Sequence, residues 1–175
     1  EKTKLKNYLI SKKSVLLLSI GGGAAPHPTP ITGTSNCIFD WINLEEEDGT
    51  GNYVAKYAYD QMFDGIDFDL EWFSAGNAIK GCSDKLAQQA DTIRKYYKSK
   101  GKIPIITSAP QSPYFTKNSW AIDYVQLEVD HPTSFDFYNI QFYNNNNGNT
   151  YDSTIGNKDK PNTALYMIKR GIPNT

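Results

Sequence analysis

The sequence predicts an α/β fold in which βα units build a parallel sheet. Five segments have the length and apolar pattern of strands, and helical segments separate the earlier ones. Strands that alternate with helices are typical of parallel sheets, because each connection crosses back over the sheet. The chain has 175 residues, 39% of them hydrophobic, which is enough for one domain with a buried core.

The first strand candidate spans residues 14–20 and follows the end of a predicted helix at residues 7–13. It reads SVLLLSI and runs directly into Gly21, Gly22 and Gly23. A continuous apolar run of this length is typical of a strand that is buried on both faces. We therefore expect a buried strand that ends in a glycine loop.

Two helices and a strand follow. Residues 52–62 have helical spacing, and residues 63–72 alternate as a strand does. Residues 84–100 predict the clearest helix, and Gly101 lies where a helix stop is expected. The apolar face of this helix consists of Leu86, Ala90, Ile93 and Tyr97.

The remaining strand candidates are residues 103–109, residues 135–143 and a shorter segment, 164–168. Polar loops at residues 27–30 and 144–149 each follow a strand. In an α/β barrel, the loops after the strands form the face that carries ligands and chemistry. For the Asn-rich run at 144–149 taken alone, a solvated turn is the simpler interpretation.

Four carboxylates lie within one strand candidate, where residues 64–71 read DGIDFDLE. Because side chains alternate along a strand, Asp67, Asp69 and Glu71 point to one face, and Asp64 has the opposite parity. Neighbouring carboxylates about 6 to 7 Å apart at the backbone cannot all stay ionised without cost. We expect at least one shared proton, which raises the pKa of one group toward the range of a general acid.

Other interpretations of these motifs are weaker. A solvated edge strand does not fit the apolar residues between the acids, and a calcium loop requires ligands that converge from a tight turn. The glycine run at 21–23 does not fit a phosphate loop, because Pro26 stands where a third glycine is required. His27 and His131 lie in no known catalytic or metal-binding motif, so we expect no metal site.

The net charge is −1, and no Lys/Arg stripe is present. A nucleic-acid partner is not expected, because such binding requires many phosphates to be neutralised together. No membrane partner is expected either, because the longest apolar run, residues 15–20, is too short to span a bilayer. Two cysteines, Cys37 and Cys82, are compatible with one disulfide or with two buried thiols.

Four motifs carry a resemblance to a known family. Residues 64–71 match the DxxDxDxE signature of glycoside hydrolase family 18, and residues 19–22 match its SxGG strand. Residues 108–111 are similar to the A-P-Q segment of hevamine-like chitinases, and residues 141–145 to their Q-F-Y-N-N strand end. Because the motifs occur in family order, the chain resembles a family 18 chitinase of the plant class III, hevamine type.

The resemblance implies a role for each matching residue. Glu71 would be the general acid and later the base that activates water, and Asp69 would orient and polarise the substrate's N-acetyl group. Asp67 would share a proton with Asp69, and Tyr143 would hydrogen-bond the acetamido group. Further substrate-binding residues would be Gln141, Ala109, Gln111 and Asn144. Structural residues would be Asp64, Ser19, Gly21 and Gly22.

The implied activity is endo-hydrolysis of β-1,4-linked N-acetylglucosamine polymers, with retention and with the substrate's own acetamido group as nucleophile. Chitin or its oligosaccharides would be the partner, no cofactor would be needed, and the protein would be a secreted monomer. Two alternatives remain open: an endo-β-N-acetylglucosaminidase acting on N-glycans, and a non-catalytic chitin-binding lectin or inhibitor. The A-P-Q and Q-F-Y-N-N segments favour the chitinase, and the intact Glu71 argues against the lectin.

The implied fold is a (β/α)₈ TIM barrel. Such a barrel has eight strands and typically about 250 residues, whereas the chain supplies candidates for about strands 3 to 7. We therefore expect residues 1–175 to be a single, partial catalytic barrel domain from a longer protein. The tryptophan that the family carries on its last strand has no counterpart after Asn162.

Overall fold

The structure, a computed structural model, describes residues 1–23, 53–71, 82–115 and 122–143, together with Gly156 and Asp159. These residues form four α-helices, a short 3₁₀ helix and four strands. In chain order the elements are α1 (Lys2–Ser11), β1 (Leu17–Gly21), α2 (Tyr53–Asp60), β2 (Gly65–Asp69), α3 (Cys82–Ser99), β3 (Ile105–Ser108), the 3₁₀ helix (Ser112–Phe115), α4 (Tyr124–Asp130) and β4 (Phe137–Tyr138).

The four strands form one parallel sheet in the order β1-β2-β3-β4. Since neighbouring strands run in the same direction, the chain crosses back between them, through α3 after β2 and through α4 after β3. The register places Ser19 of β1 and Thr107 of β3 beside Asp67 of β2. The predicted α/β architecture with a parallel sheet is confirmed.

The hydrophobic core covers one face of β2. Ile66, Phe68 and Leu70 are fully buried and belong to one cluster with Ala55 and Ala58 of α2. A fully buried side chain of the larger kinds contributes about 1.5–3 kcal/mol through the area it removes from water. The predicted apolar face of α3 is confirmed, since its four residues are all buried in this cluster: Leu86, Ala90, Ile93 and Tyr97.

Strand β1 is shorter and more exposed than the sequence predicts. The apolar run at 14–20 indicated burial on both faces, but the strand covers Leu17–Gly21 and its Ser19 is exposed. Within the described part of the chain, β1 pairs with β2 alone and forms the edge of the sheet.

Strand β4 is also shorter than the predicted segment 135–143, because only Phe137–Tyr138 form a regular ladder with β3. The pairing resumes as an isolated bridge between Gln111 and Gln141. Pro110 lies between the two stretches and has no N–H to donate, so the ladder cannot continue through it.

Helix α4 is an element that we did not predict. Its N-cap is Asp123, whose Oδ1 accepts a hydrogen bond from the Gln126 backbone N–H at 3.0 Å. An Asp followed three residues later by Gln is the sequence pattern of a capping box, so a signal for this helix was present.

Two aspartates close the amino-terminal ends of neighbouring strands in the same way. Asp64 precedes β2, and its Oδ2 accepts from the Leu16 backbone N–H at 2.9 Å, just before β1. Asp136 precedes β4, and its Oδ2 accepts from the Ile106 N–H of β3 at 2.7 Å. Each aspartate also pairs with a cation of a helix, Asp64 with Lys6 of α1 and Asp136 with Arg94 of α3.

Several residues singled out in the sequence lie outside the described residues. They are the strand candidate at 164–168, the loop at 27–30 with its His27, and Cys37, Asn144 and Asn162. Cys82 is described; it begins α3, is buried and is disulfide-bonded, so the disulfide alternative holds for it.

Candidate active site

The carboxylates of β2 lie on the face opposite the core. The buried residues Ile66 and Phe68 alternate with the partly exposed Asp67 and Asp69, and Glu71 follows just after the strand ends. The alternation of a strand therefore places three acids on one side, as the sequence predicts. In the order Asp67, Asp69, Glu71, they lie progressively closer to the carboxyl-terminal edge of the sheet.

Asp67 is held by hydroxyl groups from both neighbouring strands. Thr107 Oγ1 of β3 donates to Asp67 Oδ1, and Ser19 Oγ of β1 donates to Asp67 Oδ2 at 3.3 Å. Thr107 is fully buried. Because both oxygens of Asp67 already accept hydrogen bonds within the sheet, its carboxylate is fixed in place beside Asp69.

Asp69 carries the raised pKa that the acidic strand predicted for one of its members. Burial raises the pKa of Asp69 from 3.8 to about 6, with further contributions from the negative charges of Glu71 and Asp67. A hydrogen bond between the Asp69 and Glu71 carboxyls acts in the same direction, whereas one from Gln141 opposes it. Asp69 is therefore coupled to Glu71 and can hold a proton up to about pH 6.

Glu71 lies at the carboxyl-terminal end of β2 and is partly buried. Its Oε2 accepts a hydrogen bond from Gln111 Nε2 at 3.1 Å. A Cβ atom built on Gly23 would lie 3.3 Å from the same oxygen, so the glycine loop passes close to this carboxyl. The acid is thus bounded by the loop after β1 and by the segment after β3.

The first two glycines of that loop have backbone angles that favour glycine, and Gly21 also lies in close contact with β2. Gly21 has φ +118°, and a Cβ atom there would lie 1.9 Å from the Asp69 carbonyl oxygen. Gly22 has φ +93°, and its N–H donates to the same carbonyl at 2.7 Å. Only glycine adopts such backbone angles without strain and leaves room for this contact.

The segments after β3 and β4 bring two glutamines to the acids. Gln141 Nε2 donates to Asp69 Oδ1 and to the Ala109 carbonyl oxygen, both at 2.7 Å. Gln111 reaches Glu71, as described above. The structure therefore joins Gln111, Gln141, Ala109, Asp69 and Glu71 in one network of hydrogen bonds.

Tyr143 is not part of this network. Its side chain is 58% exposed, and no hydrogen bond among the described residues joins it to the carboxylates. Asp64 lies at the other end of β2, where it caps β1. Asn144, predicted beside Tyr143, lies outside the described residues.

The structure adds neighbours of the acids that sequence reasoning missed. Thr107 is one; the register of β3 against β2 places it beside Asp67, and no local sequence pattern gives that register. Tyr114 is another; it is buried, and its pKa is raised by burial and then by the charges of Glu71 and Asp69. Behind β2, Ser108 Oγ bonds to the Phe68 carbonyl at 2.8 Å and to the buried Tyr124 hydroxyl at 2.9 Å.

The described residues hold neither a cluster of metal ligands nor a membrane-spanning helix. They contain no group of three or more His, Cys, Asp or Glu side chains that could hold a metal ion. None of the helices described is both long enough and apolar enough to cross a membrane.

Known proteins resemble the chain in sequence and in structure. Chitinase 3 of Candida albicans is 28% identical over 95% of this chain, and the acidic endochitinase of Vitis vinifera is 29% identical over 74% of it. The chain spans 28% and 38% of the lengths of these two relatives. A comparison with models of protein families finds no match.

The solved structure of a family 18 chitinase from Pseudoalteromonas aurantia superposes with a TM-score of 0.59 and 26% identity. The superposition covers 90% of this chain and 55% of that one. Together with the parallel sheet, it identifies the fold as part of an α/β barrel. The resemblance to the chitinases of glycoside hydrolase family 18, predicted from the four motifs, is confirmed.

Proposed function

We propose that the protein is an endo-acting chitinase that hydrolyses β-1,4-linked N-acetylglucosamine polymers with retention of configuration. The observation that carries the proposal is the coupled carboxyl pair, Asp69 and Glu71, at the carboxyl-terminal end of β2. That edge of the sheet is where α/β barrels place their chemistry. The similarity to chitinases supplies the substrate class.

Glu71 is proposed as the general acid. It is the last carboxyl of the series, and it projects beyond the strand. Burial raises the pKa of its neighbour Asp69 to about 6. In the first step, Glu71 gives its proton to the glycosidic oxygen as the bond to the anomeric carbon breaks. In the second step, it takes a proton from the attacking water.

Asp69 is proposed to orient the substrate's acetamido group, whose carbonyl oxygen forms the new bond to the anomeric carbon. The resulting oxazolinium ion is positively charged, so an adjacent carboxylate stabilises it. Asp67 is held in place beside Asp69 by hydrogen bonds from Ser19 and Thr107. Attack by water then opens the ring from the face that the leaving group occupied, which gives retention.

Substrate binding is proposed for the loops at the same edge. Tyr143 is exposed and is available to contact the acetamido group. Ala109 lies in the neighbouring segment, directly after β3. Asn144 is proposed beside them. The amides of Gln111 and Gln141 bond to the carboxyls, so we propose that these residues line the subsite behind the reacting groups.

Turnover of a labelled chitotetraose by the complete protein tests this proposal. A chitinase cleaves it, whereas an endo-β-N-acetylglucosaminidase prefers an N-glycan core and a lectin binds chitotetraose without cleaving it. Cleavage of the N-glycan alone, or binding without turnover, would contradict the proposal.

We also propose that the protein is a secreted monomer and that residues 1–175 belong to one catalytic domain. Export fits the proposed substrate, because a polymer too large to enter a cell is degraded outside it. Sedimentation of the complete protein tests whether it is a monomer, and its recovery from culture medium tests whether it is secreted.

A further inference from the structure

Each carboxyl of the Asp69–Glu71 pair accepts a hydrogen bond from a glutamine. Gln141 Nε2 donates to Asp69 Oδ1 at 2.7 Å, and Gln111 Nε2 donates to Glu71 Oε2 at 3.1 Å. The two carboxyls are themselves hydrogen-bonded to each other. Each acid therefore has one oxygen that is bonded to a glutamine amide.

The glutamines are fixed to one another through the backbone. Gln111 and Gln141 form an isolated parallel bridge, in which the Ser112 N–H donates to the Gln141 carbonyl at 3.0 Å. The Gln141 N–H donates to the Pro110 carbonyl at 2.9 Å. Gln141 is 6% exposed, so its side chain has little freedom to turn away.

The orientation of the Gln141 amide does not depend on the proton of Asp69. Its Nε2 also bonds to the Ala109 carbonyl oxygen at 2.7 Å, and a carbonyl oxygen can only accept. The nitrogen must therefore face both acceptors. Asp69 Oδ1 is consequently always an acceptor, and a proton on Asp69 must lie on its other oxygen.

We propose that Gln111 and Gln141 are positioning residues that act as a clamp, confining the proton shared by Asp69 and Glu71 to the carboxyl oxygens that do not accept from the two amides. This inference rests on the proposed function only for its link to turnover. With Asp69 Oδ1 and Glu71 Oε2 engaged, the proton is left to the remaining oxygens of the two acids, from which Glu71 can pass it to the leaving group. Both amides also favour ionisation, so they keep the pair from binding a second proton.

The clamp predicts a specific effect on titration. Replacement of Gln111 by Met keeps the length of the side chain but removes a donor to a charged acceptor. Such a bond lowers a carboxyl pKa by about 1. We expect the apparent pKa values of the pair to rise by about 1 in Gln111→Met and in Gln141→Met, and kcat to fall by roughly tenfold while KM changes little.

The experiment is a titration of the carboxyl ¹³C signals by NMR in the complete protein without substrate. Gln126→Met is the matched control, because Gln126 Nε2 donates to Asp130 Oδ2 at 2.8 Å on the exposed side of α4. This variant should leave the titration of Asp69 and Glu71 unchanged. If Gln141→Met does not fold, as its burial could cause, Gln111→Met decides the question alone.

A titration of Asp69 and Glu71 in Gln111→Met that matches the wild type would overturn the proposal. A rise of the pKa values in Gln126→Met as large as that in Gln111→Met would also overturn it, because the effect would then not be specific to the clamp. Because the titration needs no substrate, a protein inactive on chitin would contradict the proposed function without deciding the clamp. If the pKa values rise in Gln111→Met or Gln141→Met but turnover stays at the wild-type rate, the clamp has no role in catalysis.

Discussion

At the scale of single residues, three chemically similar acids differ in what surrounds them. Asp67 is bonded to two hydroxyl groups within the sheet, Asp69 is coupled to both neighbouring acids, and Glu71 projects past the end of β2. Only Glu71 combines a position past the strand end with a neighbour whose pKa is raised to about 6. This gradient along the strand favours Glu71 as the group that reaches the leaving oxygen.

Replacement of Glu71 by Gln should remove activity while leaving binding nearly intact. The amide keeps the shape of the side chain, and its oxygen can still accept from Gln111, but it cannot protonate the leaving group. Loss of a general acid typically costs about 10² to 10⁴ in rate. Turnover of chitotetraose and its dissociation constant should be measured side by side, with Asp60→Asn, an exposed change on α2, as the control. Turnover of Glu71→Gln at the parent rate would exclude this role.

Replacement of Asp69 by Asn should change how stability depends on pH. Since burial raises the folded pKa of Asp69 from 3.8 to about 6, its proton stabilises the folded state most at low pH. That contribution is lost as the pH rises from about 4 through about 6, because the unfolded chain ionises first. The variant has no such loss. Its free energy of unfolding should therefore rise by about 1 kcal/mol relative to that of the wild type over this range, after allowance for solvent screening.

Urea unfolding of the complete protein on either side of this pH range measures that difference. The sign follows from the raised pKa: the variant gains on the wild type at the higher pH. A free-energy difference that is the same on both sides would mean that Asp69 ionises normally in the folded state.

At the scale of the elements, the loop after β1 and the strand β2 depend on each other. Gly21 lies against the Asp69 carbonyl, and Gly22 donates to it, so the loop holds the last residue of β2 in place. The sequence motif predicted a glycine loop, and the structure gives the physical reason for it. A side chain at Gly21 would push the loop away from the carboxyl pair.

Gly21→Ala should destabilise the complete protein far more than Gly101→Ala. Both positions have positive φ, +118° and +74°, so both variants carry backbone strain of about 1 kcal/mol or more. At Gly21 the added Cβ would also lie 1.9 Å from a backbone oxygen, whereas at Gly101 nothing lies within 4 Å. We expect a further loss of about 2 kcal/mol or more in Gly21→Ala. Equal free energies of unfolding for the two variants would show that the loop is not held against β2.

Removal of the Asp136 carboxyl should test the caps at the amino-terminal ends of the strands. In Asp136→Ala, the Ile106 N–H and Arg94 both lose an acceptor, so we expect a cost of about 1–3 kcal/mol. The matched control is Asp60→Ala, which breaks an exposed ion pair with Lys56 worth no more than about 0.5 kcal/mol. Chemical unfolding should separate the two variants clearly; similar values would mean that Asp136 is an ordinary surface acid.

At the scale of the whole molecule, the sequence predicted the order of helices and strands better than the residues at which each one begins and ends. Helix α3 was predicted within a few residues, because Leu86, Ile93 and Tyr97 mark one face at helical spacing. Strands β1 and β4 were predicted too long, since apolar content does not show where a neighbouring strand ends or where a proline interrupts the ladder. Helix α4 was missed because it is short and its signal lies in a cap.

The candidate site was predicted in part for a similar reason. Parity along one strand is a local property, so Asp67, Asp69 and Glu71 could be placed on one face without the fold. The contacts of Gln111 and Gln141 depend on how three strands are aligned across the sheet, and no local pattern gives that alignment. Their roles as hydrogen-bond donors to the acids therefore required the structure.

The most direct test of the central claim is the anomeric form of the first product, followed by NMR as the complete protein cleaves chitin oligomers. Attack by the substrate's acetamido group, with Asp69 orienting it and Glu71 as acid, inverts the anomeric carbon twice. We therefore predict that the β-anomer appears first and that fully deacetylated chitosan, which lacks the acetamido oxygen, is not cleaved. An initial α-anomer, or cleavage of chitosan at a comparable rate, would contradict the account.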